Sequence, residues 1–281
     1  VNIDGIENIK AAAGIIHEAG ALLICAGAGM GVDSGLPDFR GSQGFWSAYP
    51  PYRKLGLDFY DLATPGWFAA DPTLAWGFYG HRLNLYRRTV PHPGFALLRQ
   101  WAAAKSAGYF VFTSNVDGQF QKAGFDAEKV NECHGSLHYL QCQANCSDRI
   151  WPAANLAIVV EEETMQARPP LPVCPDCSRL ARPNVLMFGD WNWLPGRSRE
   201  QQRLFQNWLA NSGEKNLVII ECGAGTAVPS VRRLSEQLLA RPRTRLIRIN
   251  RDEAAVPAGQ VGLADGALAV LQRIGEFIPG S

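Results

Sequence analysis

The sequence has almost no net charge: 27 Lys and Arg stand against 26 Asp and Glu, leaving +1 over 281 residues. That balance removes the broad electrostatic pull that draws a chain to nucleic acid or to an acidic membrane surface, so neither is expected as a direct partner. Long apolar runs are missing too. The longest early one, residues 21–26, falls far short of the ~20 residues that cross a bilayer. It has no basic leader before it, so no signal peptide is expected. Internal repeats and low-complexity tracts are absent. What remains is 47% hydrophobic and 19% charged residues, the composition of a globular chain with one large domain and an insertion, or two domains.

Cysteine is sparse and odd in number, at seven. Four of the seven are grouped. Cys142 and Cys146 form a C-x3-C pair and Cys174 and Cys177 a C-x2-C pair, with 27 residues between the pairs. Four thiolates in two close pairs can close a tetrahedral shell around one zinc ion. A closed shell leaves no open position, so the metal should be structural. A thioredoxin-like redox pair needs a C-x-x-C after a strand and opening a helix. The Pro169-Pro170 step and Pro172 argue against that context. The other three, Cys25, Cys133 and Cys222, lie in apolar, strand-like runs and read as small core residues. Free thiols and a metal fit a reducing compartment, and a cytoplasmic location is expected.

Short continuous apolar runs at 21–26, 109–112, 185–188, 217–222 and 245–250 read as strands covered on both faces. Helical periodicity spans 5–19, 73–88, 94–106, 200–211, 229–240 and 267–277. The alternation predicts an α/β fold: a Rossmann-like open parallel sheet with helices on both faces. Two stretches break it. Residues 41–89 open with Gly, Pro, Trp and Tyr in loops and short helices. Residues 136–182 hold the four cysteines and many prolines. The expected organisation is a dinucleotide-binding domain from 1–40, 90–135 and 183–281, a helical and loop insertion at 41–89, and a small zinc module at 136–182.

Directly after the first strand comes Gly27-Ala28-Gly29-Met30-Gly31-Val32-Asp33-Ser34-Gly35. A glycine-rich turn from strand to helix lets backbone approach a pyrophosphate closely. The register is not G-x-G-x-x-G, so by itself this supports nucleotide binding no better than an ordinary turn. The run continues, however, as Leu36-Pro37-Asp38-Phe39-Arg40-Gly41. As a whole it resembles the NAD-binding signature of sirtuins. Thr113-Ser114-Asn115-Val116-Asp117, His134-Gly135, the paired cysteines, residues 183–190, Gly225-Thr226 and Ile249-Asn250 resemble further family segments in the family's order.

The resemblance implies NAD as cofactor and an acylated protein lysine as partner. It implies an NAD-dependent protein lysine deacylase, a transferase that moves the acyl group to ADP-ribose and releases nicotinamide. His134 would be the general base, since an imidazole suits proton removal from a ribose hydroxyl. Asn115 and Asp117 would serve catalysis at the nicotinamide end. Gly27, Ala28, Gly29, Leu36, Asp38, Phe39, Arg40, Ser114, Gly223, Gly225, Thr226 and Asn250 would complete the cofactor site. Phe188 and Gly189 would border the substrate groove. Tyr79 and Arg82 match the Y-x-x-R pattern of sirtuins that take succinyl-like acyl chains, where a phenol and a guanidinium share a carboxylate.

Several positions depart from the family pattern. Ser114 stands where Gln is usual, Asp190 where Glu is usual, and the 225–229 loop is about two residues short. These changes leave two alternatives open. One is an ADP-ribosyltransferase or NAD hydrolase on the same fold. The other is a non-catalytic NAD-sensing module.

Overall fold

In the computed structural model, residues 3–38, 45–47 and 49–279 are described. Six strands form one sheet: β1 (Ala21–Ala26), β2 (Tyr109–Thr113), β3 (Val130–Glu132), β9 (Leu217–Cys222), β10 (Thr244–Ile249) and β11 (Val261–Leu263). Their order is β11-β10-β9-β1-β2-β3, and every neighbouring pair is parallel. The chain builds outward from β1 to one side and then returns to build the other. This order leaves a switch point between β1 and β9, where a crevice opens beyond the strand carboxyl ends.

The apolar run of β1 is explained by cover on both faces. Leu22, Ile24 and Ala26 meet Ile9, Ala13 and Ile16 from the Ile3–His17 helix, Leu98 and Trp101 from Pro93–Ala103, and Val270 and Ile274 from Ala267–Gly275. Leu23 and Cys25 face the other way, towards Phe205 of the Gly196–Asn211 helix and Val231 of Ser230–Leu238. Each large aliphatic side chain buried so contributes about 1.5–3 kcal/mol. The edge at β3 is closed by side chains of the 196–211 helix. Ser198 Oγ donates to the Glu132 carbonyl at 3.0 Å, and Gln201 Oε1 accepts from the Glu132 amide at 3.1 Å. An edge covered this way offers no template for a further strand.

A second, three-stranded sheet carries the cysteines. It consists of β4 (Gly135–Cys142), β5 (Ile150–Pro152) and β8 (Ala181–Val185), in the order β5-β4-β8 and antiparallel. A small hairpin of β6 (Val160–Glu161) and β7 (Gln166–Ala167) lies against the Pro72–Arg88 helix. Approach there is close enough to require glycine: a Cβ on Gly77 would sit 1.8 Å from the Met165 carbonyl oxygen. The 72–88 helix starts with Asp71 accepting from the Leu74 amide at 3.0 Å and Pro72 in the first turn. An aromatic cluster around Phe45, Tyr52, Phe68, Trp76, Phe78 and Tyr79 fills the space between it and the short helices at 50–54, 59–62 and 67–70.

One expectation is corrected. The run 185–188 is not a strand of the parallel sheet. The strand here is β8, five residues ending at Val185, and it belongs to the small sheet with β4. Its polar residues hid it. Arg182 and Asn184 are fully buried because each is partnered: Arg182 pairs with Asp190, and Asn184 Nδ2 donates to Gln141 Oε1 and to the Leu194 carbonyl, both at 2.9 Å. Leu186 and Phe188, the apolar residues that suggested a strand, are each 39% exposed.

Candidate active site and metal centre

Glycines shape the crevice at the switch point. The loops after β1 and β9 cross with backbone touching backbone: Gly27 N donates to the Cys222 carbonyl and Gly29 N to the Gly223 carbonyl, both at 3.0 Å. A Cβ on Gly27 would lie 2.7 Å from Ala224 Cα, and one on Gly29 2.7 Å from Gly223 Cα. Gly223 has φ of 62° and a Cβ there would reach 2.3 Å from Gly29 C and Met30 N. No side chain can stand between these loops. Beside them is a cleft of ≈ 60 Å³ bordered by Gly29, Asp38, Gly223 and Asn250, all from the expected cofactor set. Asp33, Arg251, Asp252 and Asp265 also border this cleft, so close backbone approach, and not lining charge, is what the glycines offer a pyrophosphate. Ala28 opens the 3-10 turn 28–34 and is exposed. Leu36 is buried and lines a second cavity of ≈ 400 Å³ with Pro37, Tyr49, His81 and Leu85. Phe39 and Arg40 lie outside the described residues.

The segment after β2 is tied to the glycine turn. Asn115 Nδ2 donates to the Gly27 carbonyl at 2.9 Å, and Ser114 N to the Ala26 carbonyl at 3.1 Å. The His134 ring bonds to the Ser114 backbone, and its Nε2 lies 3.1 Å from Ser230 Oγ. Burial holds the His134 imidazole below its ordinary value, so it is neutral near pH 7 and able to accept a proton. Asp117 is buried too. Desolvation, aided by Glu132 and opposed by the Gln119 amide and Arg82, pushes its carboxyl up to about 6. Its Oδ1 accepts from Gln119 N at 2.9 Å, and its backbone carbonyl lies 2.9 Å from His138 Nε2.

The late segments are tied into their own loop. Thr226 donates from N at 2.9 Å and from Oγ1 at 2.8 Å to the Glu253 carboxylate. A Cβ on neighbouring Gly225 would also meet that carboxylate, at 3.6 Å. Asn250 Nδ2 donates to the Ala224 carbonyl at 2.8 Å, and its Oδ1 accepts from the Asp252 and Glu253 amides at 3.1 Å.

Tyr79 and Arg82 are both buried one turn apart on the 72–88 helix. The Arg82 guanidinium donates to Tyr86 Oη at 3.1 and 2.8 Å and faces four aromatic rings, Tyr79 at 5.9 Å among them. Tyr79 stacks on Phe68 at 5.7 Å. Phe188 packs on Tyr60 at 4.9 Å, and its amide donates to the Ala63 carbonyl at 2.9 Å. Gly189 has φ of 65° and turns the chain there. Asp190 returns beneath it to the buried, bidentate pair with Arg182, at 2.7 and 3.0 Å.

Three further residues of the site escape sequence reasoning: Ser230, Glu253 and Tyr86. No local pattern points to Ser230, which meets His134 only through the placement of its helix.

The four cysteines converge. Their sulfurs all lie within 4.8 Å of one another, with Cys142–Cys177 and Cys146–Cys174 at 3.6 Å. A ZnS4 tetrahedron with bonds of ~2.3 Å spaces its sulfurs about 3.8 Å apart, so the set fits zinc. The separations are far beyond the ~2.05 Å of a disulfide. Asn145 (φ 45°) and Ser178 (φ 58°) make the tight turns that bring each pair round. Hydrogen bonds from Arg179 pull the Cys177 thiol down to about 6, favouring the thiolate a metal needs.

A doubly wound parallel sheet with a glycine-lined crevice, a neutral imidazole beside it and a four-thiolate module defines a dinucleotide-handling α/β protein with a structural metal site. Residues 27–207 match the family model described as Sir2 family. The chain belongs to the Sir2 family, the sirtuins. It is 34% identical over 183 residues to the NAD-dependent protein deacylase sirtuin-5, mitochondrial, of Danio rerio, a match covering 60% of this chain and 57% of that one. It is 30% identical over 252 residues to the NAD-dependent protein deacylase of Pyrococcus abyssi, covering 88% and 89%. A solved mutant of a Sir2 homologue in complex with ADP-ribose shares the fold at a TM-score of 0.69 and 27% identity, over 95% of each chain. No helix among the described residues is long and apolar enough to cross a membrane.

Proposed function

We propose that this chain is an NAD-dependent protein lysine deacylase that passes the acyl group of a modified lysine to ADP-ribose. Bound NAD supplies the electrophilic ribose carbon and the nicotinamide leaving group. The chain's residues supply position and proton transfer. The Gly27, Gly29 and Gly223 cradle admits the pyrophosphate. Asn115, held on the Gly27 carbonyl, would hold the nicotinamide end, and Asp117 would meet the carboxamide as acceptor or, near its raised value, as donor. His134, held neutral by burial, takes a proton from a sugar hydroxyl. Phe188 and Gly189 form one wall of the groove for the peptide. The observation that carries this reading is the Ser114-Asn115 segment, tied to the glycine turn through the Ala26 and Gly27 carbonyls and set against a neutral His134 imidazole.

The finer assignment is a short acidic acyl chain such as succinyl. Arg82 and Tyr79 lie together, buried among aromatic rings, and a chain carboxylate admitted there would take over the guanidinium donors now facing Tyr86. The test is incubation with NAD and lysine peptides bearing acetyl or succinyl groups, followed by mass spectrometry for acyl-ADP-ribose. Product with either chain supports deacylation, and a succinyl excess lost in Arg82→Met supports the acidic pocket. No product with any acyl chain rejects the reading. ADP-ribosyl transfer or NAD hydrolysis is favoured instead if nicotinamide appears at full rate without peptide, and the short loop at 225–229 is the feature that motivates it.

A further inference from the structure

Ser230 has no part in the reading above, yet its hydroxyl is the nearest partner of the base. Oγ lies 3.1 Å from His134 Nε2, and both residues are half-buried rather than sealed in the core. In the tautomer whose Nε2 carries no proton, the imidazole accepts and the serine donates. A hydroxyl on an acceptor imidazole that is itself oriented by a third group is the arrangement of an activated serine nucleophile. Two further features suit that role. Ser230 is the first residue of the nine-residue Ser230–Leu238 helix. The positive end of the helix therefore lies beside Oγ and favours negative charge developing there. Burial also keeps His134 neutral near pH 7, the form that can accept the serine proton.

We propose that Ser230 and His134 form a second catalytic pair that hydrolyses small acyl esters without NAD. His134 Nε2 takes the Oγ proton as Oγ bonds to the ester carbonyl carbon. The carbon–oxygen bond to the alcohol then breaks, and the imidazolium returns the proton to the leaving oxygen. Water, deprotonated by the same nitrogen, bonds to the acyl carbon. The Oγ–carbon bond breaks, Ser230 regains its proton, and a carboxylic acid departs. The sum is ester plus water to acid plus alcohol. The pair needs only its own geometry, so it stands or falls separately from the deacylase reading. If that reading also holds, its ester product would be a substrate of the same crevice.

The experiment uses the full chain with p-nitrophenyl acetate and no NAD. The expected result is turnover that falls about a hundredfold in Ser230→Ala and in His134→Ala. In parallel, a fluorophosphonate probe should label the unmutated protein, with peptide mapping placing the adduct on Ser230. Equal ester hydrolysis in parent and Ser230→Ala, or an adduct absent from Ser230, overturns the proposal. Deacylation of an acyl peptide with NAD, measured on the same preparation, shows whether the first site works whatever the ester result.

Discussion

Gly223→Ala tests the crossing that shapes the crevice. The added Cβ would lie 2.3 Å from Gly29 C and Met30 N, more than an ångström inside the ~3.5 Å of ordinary carbon contact. Both neighbours are backbone and cannot swing aside. The position also has φ of 62°, which costs an alanine about 1–2 kcal/mol. Overpacking adds about 1–3 kcal/mol. Gly259→Ala separates the two costs. Its φ is 80°, but nothing lies within 4 Å of the new Cβ, and Gly259 does not line the cleft. Urea unfolding should therefore place Gly223→Ala below Gly259→Ala by about 1–3 kcal/mol. Calorimetry should find NAD binding lost in the first and kept in the second. Equal stability of the two variants, with NAD binding intact in both, would refute the argument that this crossing forms the cradle.

Other expectations follow from the same structure. Elemental analysis should find one zinc per chain, and Cys174→Ser should lose it and unfold the small sheet; a metal-free parent that remains folded would contradict the ligand set. Asp190→Ala leaves Arg182 charged and fully buried, which should cost about 3–5 kcal/mol, whereas the joint change Arg182→Met with Asp190→Leu should recover much of it in urea unfolding. Burial pushes the Asp117 carboxyl up to about 6, above its ordinary 3.8. The native state therefore holds a proton that the unfolded chain releases, and this contribution is lost as pH rises through that window. Asp117→Asn mimics the neutral form, so its stability relative to the parent should climb between pH 4 and 7. A difference that stays flat across that range would show the carboxyl is not raised.

Much of this architecture was legible in the chain. The runs at 21–26 and 217–222 could be read as strands because helices cover both faces, leaving no polar alternation to blur them. The cysteines could be read as a metal shell because two close pairs have few other uses. The strand Ala181–Val185 was not legible. Its burial depends on Arg182 meeting Asp190 and Asn184 meeting Gln141, and no local pattern announces such pairings. The exposed Leu186 and Phe188 misled in the other direction, since each is partly open to solvent and not in a core. The two short strands at the sheet edges, Val130–Glu132 and Val261–Leu263, offer three residues each, too few for periodicity. Ser230 meets His134 from 96 residues further along the chain, a pairing that only three-dimensional placement shows.

The imidazole at the head of the glycine cradle bears the whole account. Its most direct test compares the parent with His134→Ala in two readings taken side by side: NAD affinity by calorimetry and acyl-ADP-ribose formed per unit time from an acyl-lysine peptide. The account predicts affinity within about threefold of the parent and a product rate lower by a hundredfold or more, roughly the worth of a lost general base. A variant that forms product at the parent's rate would contradict it.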